Sequence, residues 1–472
     1  MNRIPEEPGQ QNFIARIGND YWQGLKDLTT CPREIWIAYL IKIFESLCYF
    51  SSVLILMPFL TQDMGLTDIQ AGTFFGIFSA SMSFFMLFVG FIADSLGIKR
   101  ALLIGLFIAL IGRIAITFTT NPWVVYPGLF VLSIGFAYMI PLIAAAVKLF
   151  STRKAQKYAY SWYYVVMNVG SMIAGLSLDG LRSKFTDTIT FDLLGNELSI
   201  RPLQVIFFVS ILATLISLVL TFFFIRSKIP AEAFKSDYEE TTKPEIKNNK
   251  YDAVTYGEEK KSAWCIMIEV GREKIFWVFI LFILLLVLVK MIFQYNHSLY
   301  PLYMERIGLK NWTGKLYSIN PIMIIFLVPV MTAITGKMKA YNVILVGSFI
   351  SAASVLVLGL GESIMYIVMF QVILSLGEAL WSPRLYDYTA SIAPEGKEAS
   401  YMALSKVPMF FAKVGAGPAT GILLAMLCPA EGPRNTELMW IIVGISTLIS
   451  PLTLFLGRKW LDVESRKKME NL

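Results

Sequence analysis

Gly90-Phe-Ile-Ala-Asp94-Ser-Leu-Gly97-Ile-Lys99-Arg100 joins two long apolar runs, 69–93 and 101–118. A glycine, an acid four residues on, a second glycine three further and two adjacent cations make a tight, charged turn between hydrophobic segments. Gly97 relaxes the backbone restriction of such a turn. Asp94 is placed to accept hydrogen bonds from the start of the next helix or to pair with a cation. Lys99 and Arg100 hold this end of both segments on the cytoplasmic side of a membrane. Gly90, Asp94, Gly97, Lys99 and Arg100 are therefore read as a gate between a second and a third membrane span.

The rest of the chain has the composition this turn requires. Of 472 residues, 56% are hydrophobic and 16% charged, against about 25% charged in soluble proteins. Lipid is the solvent for most of the chain. The net charge of +7 lies in loops, which argues for membrane topology rather than nucleic acid. The four cysteines, Cys31, Cys48, Cys265 and Cys428, have no metal or redox spacing. Residues 1–30 carry Arg3, Glu6, Glu7, Asp20, Lys26 and Asp27 and no apolar core, so the first span is expected to act as its own insertion signal.

Runs of about 20 apolar residues fall at 35–60, 69–93, 101–118, 122–147, 158–180, 203–225, 276–300, 316–335, 341–360, 364–387, 401–425 and 437–457. Lipid cannot satisfy backbone polar groups, so each run is a helix. The fold class is all-α integral membrane, with twelve transmembrane helices in two six-helix bundles. A cytoplasmic segment 1–34 precedes the first bundle, 35–225. A linker, 226–274, precedes the second, 275–458, and a tail follows at 459–472. The linker is rich in Lys, Glu, Asn and Thr, as solvated segments are, and its end, 258–274, has the pattern of an interfacial helix. Six spans on each side match transporters built from two parallel repeats.

Cations crowd one set of loops: Lys99 and Arg100; Arg153, Lys154 and Lys157; the linker; Lys337 and Lys339; Lys397; and the tail from Arg458. That set is cytoplasmic, with both termini inside. In the longest loop of the opposite set, 189–200, strand formers flank Gly195-Asn196 and point to a small hairpin. Small residues recur at four-residue spacing in Gly72, Gly76 and Ala80, in Ser171 and Gly175, and in Gly417 and Gly421. Such spacing lets helices approach closely.

Ionisable residues inside spans mark function because each costs about 2.5–3.5 kcal/mol at a helix centre. Lys42, Arg113, Lys290, Glu378, Lys406 and Lys413 qualify. Arg113, Lys406 and Lys42 lie near enough to span ends to snorkel. Lys290, Glu378 and Lys413 lie about 21, 14 and 18 Å along their helices from the cytoplasmic side, near the midplane where transporters bind solute. Glu378 is read as the only acid deep in the membrane. It must pair with Lys290 or Lys413 or take a proton. A solute carboxylate competing for that lysine would then couple solute to proton. His297, the lone histidine, sits beside Gln294 and Asn296, and Asn168 is a polar residue in the middle of span 5.

Two stretches resemble a known family. The turn at 90–100 and the twelve spans are similar to the major facilitator superfamily. Tyr160-Ser-Trp-Tyr163-Tyr164-Val-Val-Met-Asn168-Val-Gly170-Ser171-Met172 resembles the span 5 signature of proton-dependent oligopeptide transporters, departing from it at Met167. Gly377-Glu378-Ala-Leu-Trp381-Ser382-Pro383, followed by Ala393-Pro394, looks like the span 10 motif of that family. There the resemblance implies a glutamate that helps bind the peptide's amino end. The chain departs elsewhere. A Glu-x-x-Glu-Arg motif in span 1 is represented by Lys42-Ile-Phe-Glu45-Ser46, where only Glu45 survives. A Lys-Pro-Asn in span 4 is represented by Ile140-Pro141-Leu142, without the lysine. The family's charge arrangement is not carried over intact, and the deep lysines suit a carboxylate or another anion.

The sequence is thus read as a divergent relative of proton-dependent oligopeptide transporters: a secondary transporter working by alternating access, with proton-coupled uptake of small peptides or amino-acid-like solutes. Glu378, Lys290, Lys413, Lys42, Glu45, Asn168, Tyr164 and Trp381 are its expected binding or coupling residues. Its partners are a small peptide or anionic solute, protons and the lipid bilayer, and the chain is expected to be monomeric. An organic-anion or drug exporter, and a non-transporting membrane receptor, are the alternatives. No Walker loop, zinc motif or nucleophile elbow occurs. Neither an enzyme nor a metal or other cofactor is expected, and a gradient is the expected energy source. A plasma or inner membrane is the expected location, with an endolysosomal membrane as alternative.

Overall fold

The computed structural model describes residues 22–23, 25–152, 155–193, 196–226, 272, 274–336, 338–392 and 407–462. The first bundle contains α1 (Glu34–Pro58), α2 (Asp68–Leu96), α3 (Ile98–Thr117), α4 (Pro122–Leu149), α5 (Gln156–Lys184) and α6 (Gln204–Phe224). The second contains α7, in two arms (Lys274–Leu285 and Val287–Arg306), α8 (Ile319–Thr335), α9 (Ala340–Ser354, continued by a 3-10 segment Val355–Leu360), α10 (Ile364–Ile392), α11 (Val407–Leu427) and α12 (Thr436–Leu456). Among the described residues eleven helices are long and apolar enough to cross a membrane, and the bent α7 pair makes the twelfth.

Local chemistry sets the ends. Gly97 takes φ 79°, a left-handed value that suits glycine, and so turns α2 into α3 within one residue. Asn121 accepts a hydrogen bond from the Trp123 amide with Pro122 in the first turn, which starts α4. Pro58 supplies no amide donor, and α1 leaves α geometry directly after it, as a π turn over Phe59–Asp63. The α7 arms meet at 41°. At the break the Leu286 amide is shared between the Phe282 and Ile283 carbonyls, at 3.3 and 3.1 Å, a local tightening that bends the helix without proline. The span read at 276–300 is thus a broken one that runs on to Arg306.

The hairpin between α5 and α6 forms as expected: β1 (Ile189–Leu193) pairs antiparallel with β2 (Asn196–Ile200), with Ile189 opposite Ile200. It marks one end of the molecule, the hairpin end. Arg226, which donates to Glu34, marks the other, the linker end. One buried core unites Phe59, Leu178 and Phe207 of the first bundle with Tyr300, Trp381 and Trp440 of the second. A separate core, with Ile35, Leu102, Ala146 and Ile225, serves the linker end of the first bundle alone. The interfacial helix read at 258–274, together with Arg153, Lys154, Lys337, Lys397, Lys406, Cys265 and the tail from 463, falls outside the described residues or nearly so.

Candidate functional site

Glu378 lies in α10, at the seam between the bundles. The Tyr164 hydroxyl, from α5, donates to its Oε1 at 3.1 Å. The Asn320 side-chain amide, from α8, donates to Oε2 at 2.9 Å and to Ser375 Oγ at 3.1 Å. Both partners are neutral. Among the described residues no cation pairs with Glu378, so the expected pairing with Lys290 or Lys413 is corrected. The reason is helix rotation: similar depth does not make two side chains face each other. Lys290 is half-buried just beyond the α7 break. Lys413, on α11, is 8% exposed, and among the described residues it makes no hydrogen bond or ion pair.

A second polar chain crosses the same seam. Ser171 Oγ of α5 lies 3.0 Å from the Tyr317 hydroxyl, which lies 3.2 Å from His297 Nε2 of α7. The Phe50 ring of α1 packs 5.7 Å from the imidazole. Lys413 is within electrostatic reach of His297, and Tyr317 within reach of Glu378. Groups from α1, α5, α7, α8 and α10 therefore meet along about two helical turns of the seam. Tyr317 and Asn320 were not picked out from the sequence. Asn320-Pro321 inside an apolar run was the available signal, since a polar side chain there needs a partner.

Other expected site residues serve the bundles themselves. Lys42 turns inward rather than snorkelling: its ammonium is 2.7 Å from Glu45 Oε2 and 5.1 Å from the Tyr163 ring centre. Glu45 is 4% exposed, so the reading of Glu378 as the only deep acid is corrected. Its Oε1 is buried without a hydrogen-bond partner. Arg113 is also buried, donating to Thr214 and lying 5.0 Å from the Phe136 ring, because α6 supplies the hydroxyl that snorkelling would have sought in water. Asn168 donates to the Tyr164 carbonyl of its own helix at 2.9 Å. Trp381 is buried and donates to Ser351 Oγ at 3.1 Å, which ties α9 to α10. Of the gate, Lys99 donates to the Phe222 carbonyl at 2.8 Å and so ties α3 to α6. The backbone of Gly90 and Asp94 is helical, and the Asp94 side chain falls outside the described residues.

The hairpin end is shut by contacts between bundles. Arg306 grips Asp68 with both nitrogens, at 2.5 and 3.0 Å, and also reaches the Cys428 carbonyl. Glu305 receives Arg182 and Gln62. Asp179 caps the short helix Thr313–Tyr317, accepting the Gly314 and Lys315 amides at 2.8 and 2.7 Å. Between these pairs the backbones touch. A Cβ on Gly72 would meet the Gly417 carbonyl and come 2.9 Å from Gly421 Cα, and one on Gly314 would strike Gly175. Two of the four-residue patterns, 72–76 and 417–421, are thus the two faces of one contact. The ion pairs went unread because Arg182 and Arg306 carry information about topology as well, and their partners lie far away in sequence.

Residues 38–418 match the family model described as Major Facilitator Superfamily. The chain is 24% identical over 166 residues to dipeptide and tripeptide permease A of Edwardsiella piscicida, a match covering 34% of each protein. With the same-named permease of Citrobacter koseri it shares 25% over 215 residues, covering 44% of this chain and 39% of the relative. These matches span about a third of the curated relatives' length. Among solved structures, one titled as concerning substrate recognition in proton dependent oligopeptide transporters superposes with a TM-score of 0.69 at 16% identity, covering 92% of this chain and 99% of the other. A POT family transporter in complex with 5-aminolevulinic acid gives 0.67 at 16%, covering 90% and 96%. At such identities the structures share the fold.

Proposed function

Because this multi-pass membrane chain belongs to the major facilitator superfamily, we propose that it is a secondary active transporter working by alternating access, which takes up small peptides or amino-acid-like solutes together with protons. The observation that carries this reading is Glu378, a carboxylate on the seam held, among the described residues, by neutral donors from both bundles. When it is ionised, both donors suit it. When it is protonated, the Tyr164 hydroxyl can turn to accept the new O–H while Asn320 keeps donating to the other oxygen. Both states are hydrogen-bonded, and only a hydroxyl rotation separates them.

Proton occupancy also bears on the rocking of the bundles. A hydrogen bond to a charged group contributes about 1.5–3 kcal/mol, against about 0.5–1.5 kcal/mol for a neutral pair. Protonation of Glu378 thus loosens the Tyr164 tie between α5 and α10. The positive-inside rule supports a cytoplasmic linker end, so the hairpin end faces outward and the conformation described is sealed on that side. The dipeptide and tripeptide permeases among the relatives support a peptide-like solute and an inner membrane.

The experiment is uptake of radiolabelled alanyl-alanine into proteoliposomes with and without an inward proton gradient. Accumulation above the external concentration, only when the gradient is present, is the expected result. Uptake that merely equilibrates under both conditions would remove proton coupling, and no uptake would remove the solute class.

A further inference from the structure

Lys413 is a nine-tenths buried cation on a membrane-spanning helix, and among the described residues it has no hydrogen bond and no counter-ion. A charge in that position is costly unless something pairs with it. Two other deep cations of the first bundle are spent internally: Lys42 on Glu45, and Arg113 on Thr214 and the Phe136 ring. The carboxylate of Glu378 is held by Tyr164 and Asn320 instead. One positive and one negative group therefore face the same seam without neutralising each other directly. Lys413 lies within electrostatic reach of His297, which is linked through Tyr317 to Ser171 and so opens onto further hydrogen-bonding groups of the seam.

We propose that Lys413 is the anion subsite of the transporter and receives the carboxylate of the solute. This rests on the reading of the chain as a proton-coupled transporter of peptide-like solutes. It adds how solute and proton are coupled. In the empty site Lys413 and Glu378 balance in total charge. A carboxylate bound at Lys413 leaves one negative charge in excess, and a proton on Glu378 restores the balance. The proton moves from water to a Glu378 oxygen as the solute loads, and returns to water on the other side as the solute leaves. The anchor lies on α11, in the second bundle.

The test is competition for alanyl-alanine uptake by unlabelled alanyl-alanine and by its C-terminal amide, in the wild type, Lys413→Met and Lys413→Arg. A charge-assisted bond of about 1.5–3 kcal/mol corresponds to roughly a ten- to hundredfold preference for the free carboxylate. The wild type and Lys413→Arg should show that preference, and Lys413→Met should bind acid and amide alike. A preference that survives in Lys413→Met overturns the inference alone. Absence of binding of either probe by the wild type overturns the solute class, and the inference with it. Reductive methylation of the wild-type protein gives the answer without a substitution: the acid should protect Lys413 from the reagent and the amide should not. Equal protection by both, or none by either, counts against the anchor.

Discussion

The buried ionisable side chains of α1 and α10 solve the same problem, a charge in a medium that does not solvate it, by different routes. Lys42 and Glu45 solve it by pairing within α1, at 2.7 Å and 3–4% exposure. Removing one partner strands the other. Glu45→Gln is expected to cost about 3–5 kcal/mol, whereas Lys42→Met combined with Glu45→Leu is expected to be near neutral. Thermal denaturation in detergent separates the cases: a clearly lowered midpoint for the single variant, recovered in the double one. Equal midpoints for all three proteins would mean that water reaches the pair. Glu378 solves the same problem with neutral donors from two other helices. That these residues matter was legible from their type and depth. Their partners were not, because partner choice depends on the rotation of each helix about its axis, and a uniformly apolar span carries little periodicity to reveal it. Glu45 escaped notice as a deep acid for the same reason.

At the scale of elements, small residues and ion pairs close the hairpin end together. Gly417 has no room for a side chain, since a Cβ there would lie 2.5 Å from Gly76 Cα, while Gly415, two residues away, has nothing within 4 Å. Gly417→Val should therefore hold α2 and α11 apart and abolish transport, with Gly415→Ala near wild type. Spin labels at Thr67 and Lys310 should report a longer distance in the valine variant. An unchanged distance would deny the contact its gating role. The Asp68–Arg306 pair has a built-in reporter in Cys428, whose carbonyl Arg306 also holds. Burial pushes the Cys428 thiol up to about 11. A raised pKa keeps the group protonated at pH 8 and unreactive, because the thiolate is the nucleophile. Asp68→Asn should open this end, return the thiol toward its ordinary value and speed alkylation at pH 8 by roughly a hundredfold, a factor of ten per pKa unit. Mass spectrometry of the 428 peptide measures it, and an unaltered rate would leave the pair without a part in closure. Glycine spacing was legible as close packing, but which two helices it joined was not.

At the scale of the whole molecule, the twelve-span plan and the hairpin after α5 were readable because each rests on local signals: run length, turn chemistry and strand formers. The closed state of one end was not readable, because it rests on pairs such as Arg182 with Glu305 that are distant in sequence. The proposed orientation rests on the cation asymmetry of the loops. A cysteine placed at position 190 should be labelled by an impermeant maleimide from outside intact cells, and one at 245 only after the membrane is broken. Labelling of 245 in intact cells would invert the topology. The central claim is that Glu378 carries the proton that drives solute across. Glu378→Gln imitates the protonated form permanently, so it should still exchange solute between two equal pools while gradient-driven accumulation falls by about tenfold or more, ~1.4 kcal/mol or greater. The most direct measurement is therefore uptake and counterflow of alanyl-alanine by this variant in proteoliposomes, with and without a proton gradient. Retained counterflow with lost accumulation is the result this account predicts, and accumulation at the wild-type level would contradict it.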